Sequence, residues 1–259
     1  MTITLRMRRA GGLLVIIPAT AAAAALLGGC QFNGNNIASG SSSSSNSSSD
    51  SSSGDGTGSR TTYTIDDTVK TISFQGRAGH VKIQAKDGPI SVTERASYTT
   101  SKPVTSHDVS GDTLELREQG CPDRPTNGPC QVGWEITAPA ATVLDLQTNA
   151  GGIEVDGMSA QVTARSDSGG VEGHDLTSRK VNAKADSGGV ELDFTQAPDD
   201  VTAQTDSGGV TITVPAGTSY AVQAGSDAGG KSVDVQEDPS SPHKISAKSG
   251  AGGVEVSTR

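Results

Sequence analysis

Aromatic side chains are nearly missing from this chain. Phe, Trp and Tyr together make up 3% of its 259 residues, and beyond Trp134 only Phe194 and Tyr220 remain. A core built with so few rings must be thin, and a sugar-cleaving cleft here would lack the aromatic platforms on which sugars stack. Cysteine is scarce as well, with three copies, and the four histidines, His80, His107, His174 and His243, are scattered. No Cys-x-x-Cys and no Cys/His grouping of metal-site spacing results. Basic residues number 20 against 29 acids, for a net charge of −9, a balance unsuited to nucleic acid or to an anionic membrane surface. No segment after residue 27 carries a helical apolar period. No Gly-x-Ser-x-Gly elbow stands in a strand-to-helix setting, and no helix follows the glycine pairs to supply a phosphate-binding dipole.

What the chain has instead is repetition. Six copies of one phrase occur: Asn149-Ala-Gly-Gly-Ile-Glu, Asp167-Ser-Gly-Gly-Val-Glu, Asp186-Ser-Gly-Gly-Val-Glu, Asp206-Ser-Gly-Gly-Val-Thr, Asp227-Ala-Gly-Gly-Lys-Ser and Gly250-Ala-Gly-Gly-Val-Glu. Their first glycines, Gly151, Gly169, Gly188, Gly208, Gly229 and Gly252, are 18 to 23 residues apart, a period expected of a stacked repeat. Flanking residues fall into columns. Five before the Asp stand Leu144, Val162, Val181, Val201, Val222 and Ile245. Three before stand Leu146 and then Ala164, Ala183, Ala203, Ala224 and Ala247. Four after stand Ile153, Val171, Val190, Val210, Lys231 and Val254.

Apolar positions alternate with polar ones inside each unit, the period of two that buries one face of a strand. Each unit reads as strand, Gly-Gly turn, strand. Stacked units would lie about 4.8 Å apart, and the Ala column brings the two walls close together. The expected fold is all-β: a β-solenoid-like stack of strand-turn-strand repeats of about 20 residues. Lys231, the one charge in an apolar column, marks distorted packing near the end of the stack.

The first 29 residues have the form of a bacterial secretion signal, with Arg6, Arg8 and Arg9 ahead of an apolar run from Gly11 to Leu27. The closing Leu27-Gly-Gly-Cys30 resembles the lipobox of bacterial lipoproteins, which implies cleavage before Cys30 and a lipid on its sulfur. Cleavage would remove three Arg and no acid, so the charge of −9 becomes −12. Residues 30–60 then form a tether: 12 of the 15 residues from Ser39 to Ser53 are serine, too polar to offset the entropy of ordering. Its reach is about 30 Å. The strand domain occupies 61–259, with a degenerate part at 61–143 and regular repeats at 144–259. Cys121 and Cys130 bracket a Pro-rich loop, and in an exported chain this spacing points to a disulfide.

Two acidic columns invite chemistry. Asp167, Asp186, Asp206 and Asp227 would be stacked at about the strand spacing, where like charges repel by roughly 1 kcal/mol per pair in water. Either Ca²⁺ bridges them, or each carboxylate accepts amides of its own turn and splays into solvent. Glu154, Glu172, Glu191 and Glu255 line the opposite strand, and paired carboxylates are how some solenoid enzymes cleave polysaccharides. Identical acids are also what copying a repeat produces.

The strand Trp134-Glu-Ile-Thr-Ala-Pro139, following a degenerate strand region and preceding the Ser-Gly-Gly-Val units, resembles a widespread bacterial family of β-strand repeat domains that carries an adhesin label. Its repeats usually read Ser-Gly-Asp-Ile or Ser-Gly-Asp-Val, whereas Gly170, Gly189 and Gly209 stand here in place of that Asp. The resemblance covers residues 61–259. It implies a surface-displayed, non-catalytic domain with no cofactor, and it brings no catalytic residue with it. The expected protein is a lipid-anchored module on the outer side of the cell membrane that meets an extracellular or cell-wall partner and no nucleic acid. Because some relatives are associated with envelope-stress operons, an accessory acting through a membrane partner is the first alternative. A calcium-binding surface module and a carbohydrate-active solenoid follow.

Overall fold

The computed structural model describes residues 57–123 and 127–259. Cys30, with the signal and most of the Ser-rich segment, lies outside the described residues. The described chain is all strand and connection. In order its strands are β1 (Thr57–Ile65), β2 (Thr71–Ala78), β3 (Val81–Ala85), β4 (Ile90–Tyr98), β5 (Val104–Ser110), β6 (Thr113–Gly120), β7 (Cys130–Ala138), β8 (Val143–Ala150), β9 (Ile153–Asp156) and β10 (Val162–Ser168). There follow β11 (Val171–Leu176), β12 (Lys180–Ser187), β13 (Val190–Phe194), β14 (Asp200–Ser207), β15 (Val210–Val214), β16 (Ser219–Ala228), β17 (Lys231–Asp234), β18 (Gln236–Glu237), β19 (Lys244–Ala251) and β20 (Val254–Thr258). Strand β1 begins at Thr57, so the last four residues assigned to the tether belong to the strand domain.

The strands form two ten-stranded sheets. One runs β1-β4-β7-β3-β9-β11-β13-β15-β20-β17 and the other β18-β16-β19-β14-β12-β10-β8-β2-β6-β5. Each regular repeat sends one strand to each sheet and turns the corner at its Gly-Gly. Neighbouring repeats pair in parallel and in register: Ala183 lies between Ala164 and Ala203, and Val190 between Val171 and Val210. The sequence columns are therefore physical ladders. The inward ones are buried, with Ala164, Ala183, Ala203 and Ala247 at 0–2% exposure, and they face the Val and Ile ladders of the other sheet. With this small-residue interior the stack is closed by area repeated many times over, each buried Val contributing about 1.5–3 kcal/mol.

The coils do not stack in chain order. The last pair, β19 and β20, lies between β14/β15 and β16/β17, so the Asp227 repeat closes the stack even though the chain continues past it. Lys231 supplies a reason. It occupies an inward column, and an unpaired ammonium enclosed between two coils would be costly. At the edge position of β17 it is exposed, and there a charge also discourages further strand addition. At the other end β2/β3 is a true coil that stacks directly on β8/β9. Beyond it the pattern changes: β4 runs antiparallel to both β1 and β7, and β5 runs antiparallel to β6.

The corner explains the glycine pair better than turn preference does. Gly169, Gly188 and Gly208 have φ of 144–148°, and a Cβ on any of them would overlap the carbonyl of the corresponding glycine in the adjacent coil. The first glycine is required by close backbone approach as much as by its dihedral. Its carbonyl is then met by a hydroxyl from the next coil. Ser166 donates to Gly151 O at 3.0 Å, Thr205 to Gly188 O, Ser249 to Gly208 O and Ser226 to Gly252 O, each of the last three at 2.7 Å. This ladder follows the spatial order of the coils and is interrupted twice: at β12, where Ala185 stands in the hydroxyl position, and at β8, where the buried Thr148 hydroxyl has no partner.

Candidate functional site

The Asp column is interrupted, and two of its four members are paired with cations. Asp206 and Asp227 are not neighbours, because the inserted C-terminal coil places Gly250 between them. The expected continuous row of four carboxylates is thereby corrected to three and one. For Asp167 and Asp186 the cations come from the same sheet, two residues earlier in β10 and β12. Arg165 reaches Asp167 at 3.3 Å and Asp186 at 2.9 Å, and Lys184 reaches Asp186 at 3.4 Å. Between the β10 and β12 coils the carboxylate repulsion is relieved by Arg165, which reaches both Asp167 and Asp186, with Lys184 beside Asp186. Among the described residues no group of three or more His, Cys, Asp or Glu is placed to hold a metal ion.

The Glu column lies on the outer face of the other sheet. Glu154 receives Lys82 and, at 3.2 Å, His80. The hydrogen bond from Lys82, assisted by that from His80, holds the Glu154 carboxyl below the usual glutamate range against the opposing effect of burial. Arg95 clamps Glu135 through two bonds of 3.0 Å and lowers that carboxyl likewise. Glu172, Glu191 and Glu255 are exposed, with Thr211 standing between Glu191 and Glu255. The row is solvated, and of its acids Glu255 lines a shallow pocket together with Thr211, Lys231 and Ser232.

The concave and polar feature lies at the opposite end of the stack from Lys231. There the edge strands β1 and β5, one from each sheet, leave a groove of about 1180 Å³. Its lining includes Tyr63 and Ile65 of β1, Asp66 and Asp67 beyond it, Glu94 of β4, and Thr105, His107 and Asp108 of β5. The inward parity that carries Ala and Val in the repeats here carries Tyr63, Glu94, Thr105 and His107. Glu94 is only 7% exposed. Tyr63 Oη donates to its Oε1 at 2.8 Å and Thr105 Oγ1 to its Oε2 at 2.7 Å. Burial first, then the charge of Glu94 and its hydrogen bond, push the Tyr63 phenol far up, so it remains a donor. The Tyr63 ring stacks on His107 at 4.2 Å.

A second buried carboxylate, Glu118 on β6, sits nearby at 5% exposure. Its Oε2 accepts the backbone N–H groups of Arg77 and Ala78 at 3.0 and 3.2 Å, while Oε1 has no partner. Burial raises its pKa, and these two backbone bonds offset that only partly. Cys121 and Cys130 are joined as a disulfide beside it. None of the groove residues was singled out from the sequence. Their signal was parity: in Val92-x-Glu94-x-Ala96 and Leu116-x-Glu118 an acid occupies a core position.

Residues 28–259 match the family described as Toastrack DUF4097. No curated protein matches the chain. Solved structures with a similar course include a candidate cell adhesion protein from Clostridium sporogenes, 12% identical, covering 77% of this chain and 99% of its own, with a TM-score of 0.49. A candidate adhesin from Bacteroides fragilis is 15% identical over 76% of this chain and 96% of its own, at 0.42. A candidate lipid-binding protein from Parabacteroides distasonis is 9% identical over 76% and 96%, at 0.29.

Proposed function

The chain belongs to the Toastrack DUF4097 family, and from its geometry we propose that it is a non-catalytic binding module displayed outside the cell membrane on a lipid anchor at Cys30. The observation that carries this reading is the use made of the repeated acids. Lys82–Glu154 and Arg165–Asp186 tie adjacent coils together, and Arg165–Asp167 and Lys184–Asp186 pair within their own strands. The repeats thus spend their charges in holding a rigid two-sheet body together, and no pair of them is poised around a reacting bond. Such a body suits presentation: a stiff stack with one open, polar end. Arg165 and Lys184 offset the charge of Asp167 and Asp186 without Ca²⁺.

The test has two parts. Cells fed a clickable palmitate analogue should label the wild-type chain and not Cys30→Ser, and protease added to intact cells should remove the domain. Labelling that persists in Cys30→Ser, or full protection from protease, overturns the display reading. Retention of envelope glycan or protein on the purified chain should be the same with Ca²⁺ and with chelator; dependence on Ca²⁺ would restore the calcium module in its place.

A further inference from the structure

The groove between β1 and β5 contains a charge imbalance that the protein does not itself correct. Glu94 is a 93%-buried carboxylate at its floor, and two hydroxyl donors orient it. A buried carboxylate is ordinarily paired with a cation, because removing it from water costs several kcal/mol that hydroxyl bonds only partly return. Among the described residues no basic side chain forms an ion pair with Glu94, although Lys102 lines the same groove. Asp66, Asp67 and Asp108 add three more acids around the opening. Elsewhere in the molecule comparable acids are supplied with cations: Glu135 by Arg95, Glu154 by Lys82, Asp186 by Arg165 and Lys184. Of the two buried acids, Glu118 is held by two backbone N–H groups, whereas Glu94 is held by side-chain hydroxyls alone and faces the groove.

We infer that this groove is a binding site for a primary ammonium or guanidinium group, with Glu94 as its counter-ion. Each Glu94 oxygen uses one acceptor direction on Tyr63 or Thr105 and keeps another for an N–H donor. Tyr63, held protonated, cannot compete for the cation's protons. The Tyr63 ring stacked on His107 supplies an aromatic surface to the cation's alkyl stem and a π-face to its charge. Because β1 and β5 are both sheet edges, the groove is open along its length. It admits either a free alkyl amine or the basic side chain of an extended peptide lying along the β1 edge. This gives the binding module of the preceding section a ligand chemistry, and it rests on that reading only for its biological meaning.

Calorimetry and NMR on the purified full chain test it with three probes: cadaverine, an end-blocked tripeptide with Lys at its centre, and the same tripeptide with norleucine in place of Lys. The Lys peptide should bind and the norleucine peptide should not. Cadaverine binding equally well identifies a small-amine site, whereas binding by the peptide alone identifies a strand-edge site; either outcome supports the inference. Glu94→Gln should weaken binding roughly ten- to a hundred-fold, the loss expected for one charge-assisted hydrogen bond. Should Glu94→Gln fail to fold, wild-type spectra decide, since Tyr63 and His107 signals should shift on titration while those of Phe194 and Tyr220 stay fixed. Absence of amine binding, affinity unchanged in Glu94→Gln, or shifts confined to residues outside the groove overturns it. None of these outcomes would move the palmitate-labelling result, so the site and the display reading fail separately.

Discussion

The two ends of this stack solve opposite problems. From β8 onward the inward face is built mostly from Ala, Val, Ile, Leu and small hydroxyls, with Phe194 and Tyr220 as its buried rings, and most coils are close to copies of the next. From β1 to β7 the inward face carries Phe74 and Trp134, in edge-to-face contact at 5.3 Å, together with Tyr63, Glu94, Thr105 and Glu118. Repetition makes a rigid body cheaply, because one solution to packing and hydrogen bonding is reused. It also makes every position equivalent, and equivalent positions cannot form a singular site. The groove occurs where repetition stops.

The largest effect should come from breaking the repeat at its tightest point. Gly188→Ala sets a methyl against the Gly169 carbonyl and strains a residue at φ 144°. The dihedral alone costs about 1–3 kcal/mol, and the overlap adds to it, so the variant should lose its cooperative melt or fall by more than about 3 kcal/mol. Gly88→Ala in the irregular half is the matched control: φ is 112°, yet nothing lies within 4 Å of the added Cβ, so it should show the dihedral cost alone. Equal losses in the two variants would mean that coil-to-coil approach is not what selects glycine at the corners.

Next is the thickness of the interior. Ala183 is fully buried between Ala164 and Ala203, and Ala183→Leu should overpack it by typically 1–3 kcal/mol in chemical denaturation. An unchanged midpoint would refute a narrow core. Smaller again is the hydroxyl ladder. Ser249→Ala removes the donor to Gly208 O and should cost about 1 kcal/mol. Ala185→Ser, supplying the missing hydroxyl opposite Gly169, should be neutral or stabilising by a few tenths of a kcal/mol. A loss in Ala185→Ser comparable to that in Ser249→Ala would show that the ladder is incidental.

Much of the regular half could be read from sequence, because parallel in-register pairing turns a column of letters into a column of atoms. The inward Ala and Val ladders, the Gly-Gly corners and the Glu face all follow from spacing. Coil order did not, since columns say which residues are equivalent and not which copies are adjacent. Lys231 held that information, being tolerable only at an edge, but its exposure had to be seen before it could be used to order the coils. The Arg165 and Lys184 ladder was overlooked because attention fell on repeated acids and not on the cations two residues before them. The groove was least legible: Tyr63, Glu94 and Thr105 meet through antiparallel pairings that no repeat announces, and only the inward parity of Glu94 and Glu118 pointed there.

That parity gives the smallest and most discriminating prediction, one of sign. Burial raises the Glu118 pKa above the ordinary glutamate value of 4.5, so between those two values the folded state binds more protons than the unfolded state. Stability linked to Glu118 is therefore complete below about pH 4.5 and declines as pH rises through the raised value. Glu135 and Glu154, whose values are lowered by Arg95 and Lys82, act in the opposite direction and in a more acidic window: their stabilisation is present above 4.5 and is lost as pH falls through their depressed values. Subtracting the melting profile of Glu118→Gln from that of wild type should isolate a component that is flat in acid and falls upward from about pH 4.5. A difference profile that instead rises with pH would mean that Arg77 and Ala78 hold Glu118 as a stabilised anion. The irregular end would then bury its acids by the same pairing logic as the repeats, and the contrast between the two ends would disappear.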